Sequence, residues 1–162
     1  MKLQIIAAAA VAALSATVSF AETVLTVSGT DAAGRDVVLE YSMEDLLALE
    51  QTTISTLNNY VDDKTTFSGP LAKDVFQGID FEATDTVKAS AVNDYFVSIP
   101  AVDFLESPVI LAVLRDGKPM SLRDKGPVWI IYQTEDYSDD TEPSVAMIHN
   151  RLIWQLSKME VE

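Results

Sequence analysis

The sequence predicts a single α+β domain, and three observations carry that prediction. Segments of strand and helix character are short and alternate along the chain. No internal repeat, low-complexity tract or long linker divides the chain after residue 21. The longest apolar runs beyond that point are of strand length, bounded by turn residues.

Taken in order, Thr23–Gly29 (TVLTVSG) and Asp36–Ser42 (DVVLEYS) read as strands on either side of the turn TDAAGR. Ser42 is placed to cap a helix over Met43–Glu50, with Asp45 three residues on as the reciprocal partner of a capping box. Thr52–Leu57 is β-branched and strand-like. Leu71–Gln77 reads as a second short helix entered through Gly69-Pro70, proline being suited to a first turn. Thr86–Val92 and Tyr95–Pro100 are two strands joined through the turn-forming pair Asn93-Asp94. Pro108–Leu114 is an unbroken apolar run, as a strand buried on both faces requires, and RDGKP after it is a turn centred on Asp-Gly. Val128–Gln133 is another buried strand, and Leu152–Val161 is the last.

The first residues set the expected compartment. Lys2, the apolar stretch Leu3–Ser19 and the small-x-small site Ser19-Phe20-Ala21 make a secretory signal peptide, cleaved after Ala21. The stretch is short and Ala-rich for a membrane span. Residues 22–162 are then one exported, soluble, periplasmic domain, with no second run long enough for direct membrane insertion. Without a cysteine there is no disulfide, zinc-thiolate site or cysteine nucleophile. Beyond Lys2, ten cations face 25 carboxylates. A surface so acidic repels phosphate backbones and anionic lipid, which excludes nucleic acid as a partner.

The usual mechanistic motifs are absent: no dinucleotide-binding or phosphate-binding glycine loop, HExxH, GxSxG or EF-hand loop. His149 is the only histidine, so a two-histidine metal site is excluded; it is either a triad base without a nucleophile elbow or a polar residue at a loop or strand end. Glu135–Glu142 (EDYSDDTE) packs five carboxylates into eight residues. Oxygen donors that dense suit Ca²⁺, although their spacing matches no known loop and a solvated surface loop is the alternative.

Three segments are informative together: FSGPLAKDVF, VILAVLRDGKPMSLRDKGPVWIIYQTEDY and NRLIWQLSKMEV. Their order and spacing resemble the molybdopterin-binding fold of the sulfite-oxidase family, over about Tyr41 to Val161. The resemblance implies a mixed β core with short peripheral helices and a pterin cofactor site. In the family's enzymes a cysteine thiolate holds molybdenum, between the first short helix and the FSGPLAKDVF-like segment. Here ISTLNNYVDD spans that place, and a residue near Asn58 stands where the cysteine would. An amide does not replace a thiolate as a soft ligand to a redox metal. Aligned on GPVW, Trp129 falls where the enzymes carry an arginine on the cofactor's phosphate side; Trp154 falls near the lysine of their closing strand. Losing two cations weakens recognition of a phosphorylated cofactor, while indoles offer flat faces to a planar heteroaromatic ring.

The ligand this implies is a pterin without phosphate or metal. Its polar edge would be met by Asn93, Asp94, Arg123, Lys125, Asn150 and Arg151, all at predicted strand ends or turns. Asp94 would accept from a 2-amino-pyrimidinone edge, Asn150 would donate and accept, and Arg123 would stack or pair, unless Arg123–Lys125 is simply a solvated turn. Small exported members of the fold without the cysteine include proteins resembling periplasmic pterin-binding regulators. These dock on the periplasmic domain of a membrane signalling enzyme that controls cyclic di-GMP, and Tyr132, Tyr137 and the acidic loop are the expected partner surface. The sequence leaves three readings: a pterin sensor, a molybdopterin-dependent oxidoreductase (or its cofactor-binding subunit) with atypical metal ligation, and an interaction protein with an empty pocket.

Overall fold

The computed structural model describes residues 22–162; the signal-peptide expectation falls on residues 1–21 and lies outside the described residues. Strands β1 (Thr23–Thr30) and β2 (Asp36–Ser42) form the expected hairpin. Ser42 then caps α1 (Met43–Ala48) reciprocally: the Asp45 amide donates to Ser42 Oγ at 3.2 Å and the Ser42 amide to Asp45 Oδ2 at 2.8 Å. The helix stops short of the expected Glu50 because Leu49 is extended and Gln51 already opens β3 (Gln51–Thr56). The Gln51 side chain covers the helix end, donating to the Leu46 and Leu49 carbonyls at 2.9 Å each.

Strand β4 (Thr65–Pro70) corrects the next expectation. Pro70 ends a strand rather than starting a helix, and the chain beyond it makes only a single 3-10 turn, Ala72–Val75. Then come β5 (Thr86–Ala91), β6 (Phe96–Pro100), α2 (Ala101–Glu106), β7 (Ile110–Ala112), β8 (Leu114–Arg115), β9 (Lys118–Pro119), β10 (Trp129–Ile131), α3 (Val145–Arg151) and β11 (Leu156–Val161). The Asp-Gly turn joins β8 to β9 with both residues at positive φ, as a tight hairpin requires. Helices α2 and α3 were not expected. The second occupies the approach to the predicted last strand, which begins at Leu156 rather than Leu152.

The architecture is α+β with a β core and short helices around it. A five-stranded sheet runs β2-β1-β11-β5-β6, with the final strand parallel to the first; a four-stranded sheet runs β3-β4-β8-β9; and β7 pairs with β10 alone. That short ladder stands between two cores. Val109, Leu111 and Val113 face the main cluster with Leu25, Val27 and Phe104, while Ile110 and Ala112 face a second with Ile54, Phe67 and Met120. Strand β10 divides likewise, Val128, Ile130 and Tyr132 to one side, Trp129 and Ile131 to the other. The apolar run is therefore buried on both faces, as its composition requires.

Gly69 lets β4 lie against this ladder. A methyl group on it would be driven into the backbone carbonyl of Leu111, which no rotamer change relieves. Gly69→Ala is expected to destabilise the protein by about 1–3 kcal/mol or more, as overpacking does. Gly34, whose surroundings are open, supplies the control: chemical unfolding of Gly34→Asn should stay near wild type.

Candidate functional site

A cavity of about 300 Å³ opens where Leu152–Trp154 passes between the end of α3 and the tip of the β5–β6 hairpin. Its position is set by how that segment is held. Trp154 forms an isolated bridge with Trp129, Ile130 N donates to the Ile153 carbonyl at 3.0 Å, and Leu156 N to the Val128 carbonyl at 2.9 Å. Gln155 takes a left-handed conformation (φ 53°), where the chain passes from the stretch bridged to β10 into β11.

One wall is aromatic. The Tyr60 ring meets Trp154 edge to face, with centroids 4.6 Å apart, and Tyr95 stands on the hairpin opposite. Two amides reach the cavity. Asn93 Oδ1 accepts from the Tyr95 amide at 3.2 Å, which leaves its NH₂ as a donor. The Asn150 side chain has no protein partner among the described residues, so it can both donate and accept. Ala91, Leu152 and Ile153 complete the lining, and no ionisable acid, lysine or arginine belongs to it.

Asn93, Asn150 and Trp154 are thus brought together, and the other expected site residues are not. Trp129 is fully buried: its Nε1 donates to the Leu152 carbonyl at 3.2 Å, and it packs against Phe67 and behind Trp154. It supports the cavity wall without lining it. Asp94 lies exposed in the hairpin turn at φ 65°. Arg123 is exposed on a 3-10 turn, Leu122–Asp124, and the Lys125 ammonium sits 5.8 Å from the Trp129 ring centroid. Arg151 is spent elsewhere, donating to Asp103 Oδ2 in an ion pair largely removed from solvent. Tyr132 OH donates to the same oxygen at 2.8 Å. Tyr132 is buried, so it cannot belong to the expected partner surface; Tyr137 is half-buried with its hydroxyl 3.3 Å from Ser107 Oγ. Tyr60 and Tyr95, which no sequence signal singled out, take the places expected of Trp129 and the basic groups.

His149 lies in α3, where Asn59 Nδ2 donates to its Nδ1 at 3.0 Å. Burial holds its pKa below the usual value, and no nucleophile hydrogen-bonds to it. Glu135 of the acidic segment accepts from Thr56 Oγ1 at 2.6 Å and the Leu57 amide at 3.2 Å, so it ties two loops together. Among the described residues no three His, Cys, Asp or Glu side chains are grouped as ligands for an ion, which leaves the Ca²⁺ reading of that loop without a site. Asn58 is buried; its Oδ1 accepts from the Tyr60 amide at 2.9 Å, and its Nδ2 has no partner. The free atom of this amide is a donor, suited to an acceptor and not to a cation. With no cysteine in the chain and no cation on the cavity wall, the residues do not fit a molybdenum ion or a phosphorylated pterin carrying one.

No family model matches the sequence, and no curated protein does. Among solved structures the fold is similar to the sulfane dehydrogenase SoxCD from Paracoccus pantotrophus, with a TM-score of 0.59 at 14% identity. The match covers 85% of this chain and 37% of that one, so this chain spans little more than a third of its length. At that identity the likeness is one of fold.

The two tryptophans should separate by stability. Trp129→Ala empties a fully buried site and should cost about 3–5 kcal/mol in urea unfolding, with Trp154→Ala costing clearly less. Tyr132 gives a pH signature. Burial first, then the neighbouring Asp103 carboxylate, raises its phenol pKa well above the ordinary value, so the fold favours the protonated form. Its contribution is complete below the unfolded-state value of about 10 and is lost as pH rises beyond it. Unfolding midpoints should fall as pH rises above about 10, and less steeply in Tyr132→Phe.

Proposed function

We propose that this protein is a non-catalytic pterin-binding protein of the periplasm, a sensor acting through the periplasmic domain of a membrane signalling protein that controls cyclic di-GMP. The observation that carries the reading is the chemistry of the cavity: aromatic edges from Tyr60, Tyr95 and Trp154, amides from Asn93 and Asn150, and no charge. A pterin ring is planar and apolar on its faces, which suits an aromatic wall. Its rim alternates donors and acceptors, and an amide can answer either. Phosphate recognition relies on arginine and lysine, so an uncharged wall selects a pterin without phosphate. The fold likeness to a sulfane dehydrogenase supports the resemblance drawn from the sequence. It also sustains the second reading, a molybdopterin-dependent oxidoreductase or its cofactor-binding subunit with atypical ligation, against which the donor set around Asn58 weighs.

The test is titration of the exported protein with reduced and oxidised pterins, followed by tryptophan fluorescence, with molybdenum assayed on the same sample. Saturable quenching without metal is expected, weaker by tenfold or more in Trp154→Ala and in Asn150→Ala, and weaker for a phosphorylated pterin. Stoichiometric molybdenum in protein purified from its own periplasm would overturn the sensor in favour of the enzyme. If neither ligand nor metal bound, an interaction protein with an empty pocket would be the better description.

A further inference from the structure

Where α3 ends, four consecutive residues are held in very unequal ways. His149 accepts at its carbonyl from the Tyr60 hydroxyl at 3.3 Å and at its ring from Asn59. Arg151 donates to the Asp103 carboxylate, and the Leu152 carbonyl accepts from Trp129 Nε1 at 3.2 Å. Asn150, between them, is exposed, and its side chain has no partner among the described residues, yet it lines the cavity. Nothing at the amide itself fixes where it points, so its placement is inherited from the anchors of its neighbours.

Two of these anchors belong to the cavity wall, since Tyr60 lines it and Trp129 backs it. The third does not. Asp103 sits on α2, outside the lining, with its side chain 7% exposed and that of Arg151 12% exposed. In the other three ion pairs among the described residues the cation is at least 45% exposed. Tyr132 donates to the same Asp103 oxygen at 2.8 Å from just beyond β10, so the carboxylate is held from the sheet side and cannot follow the guanidinium. A buried guanidinium deprived of its carboxylate is costly, and its long stem lets it leave for water, taking residue 151 with it.

We infer that Asp103 is a positioning residue for the ligand of the cavity: through Arg151 it fixes the backbone from which the Asn150 amide meets the ring. The inference rests on the pterin reading and names a residue outside the cavity that sets its affinity. An unpartnered amide on a mobile backbone must be ordered when the ligand arrives, whereas one on a fixed backbone has less freedom left to lose. The Asp103 carboxylate therefore contributes to affinity without touching the ligand, and only while Asn150 is there to be placed. A pair that merely held the fold together would act equally whether or not Asn150 were present.

The experiment is a double-mutant cycle in the exported protein, titrated with unsubstituted pterin, together with nitrogen-relaxation NMR of the ligand-free protein. Asp103→Asn is expected to raise the Kd about tenfold, and Asp103→Asn combined with Asn150→Ala to bind within about twofold of Asn150→Ala alone. Losses that multiply in the double variant, or wild-type affinity in Asp103→Asn, would overturn the positioning role. Glu106→Gln removes the same charge from an exposed carboxylate further along α2 and should leave the Kd unchanged; an equal loss there would reduce the effect to net charge and overturn the role as well. Without ligand, the order parameter of the Asn150 backbone amide should fall from about 0.85 to below about 0.6 in Asp103→Asn, with that of Asn93 unmoved. If the wild type binds no pterin but this order parameter falls, the pterin reading fails and the placement of Asn150 by Asp103 stands. If pterin binds and the order parameter holds, the positioning role fails alone. Should Asp103→Asn not fold, Arg151→Lys, which keeps the charge but not the planar fork, carries the same cycle.

Discussion

The antiparallel pairing of β7 with β10 is the constraint on which the rest of the fold depends. The two three-residue strands form a ladder with each other and, among the described residues, pair with other segments only through the isolated bridges Leu71–Ile110 and Trp129–Trp154, yet each alternates its side chains between two cores. A one-residue slip would exchange the two sets and send the Trp129 indole to the wrong side. The register guards against this by size, since Trp129 faces Ala112 across the ladder, where a small side chain leaves room for the ring. The close approach of β4 at Gly69 adds a second lock, because only a strand lying in this register presents the Leu111 carbonyl to a position without a side chain.

The cavity inherits its shape from that wall. Trp129 carries the bridge to Trp154, so the closing segment is hung on β10 before it becomes β11. The other end of the segment is fixed by Arg151, held with Tyr132 on the Asp103 carboxylate. Such a pair gains little net stability, since desolvating both charges offsets their attraction, but it permits few alternative geometries. Asn150 precedes that anchor directly, so its amide is presented from a backbone fixed on both sides.

Much of the fold was legible because it is written in local patterns: strand alternation, the reciprocal Ser42–Asp45 cap and the Asp-Gly turn each involve residues close in sequence. Helix α3 was not, since seven residues show barely two turns of periodicity and the apolar Leu152 and Ile153 after it look like the start of a strand. Asn93 and Asn150, picked as residues of turns and strand ends, and Trp154, picked from the family alignment, lie together on the cavity wall. Trp129 and Arg151 lie away from the cavity for one shared reason. Whether an indole or a guanidinium faces a ligand or the interior is decided by a partner far along the chain, here Leu152 and Asp103, which no local pattern records.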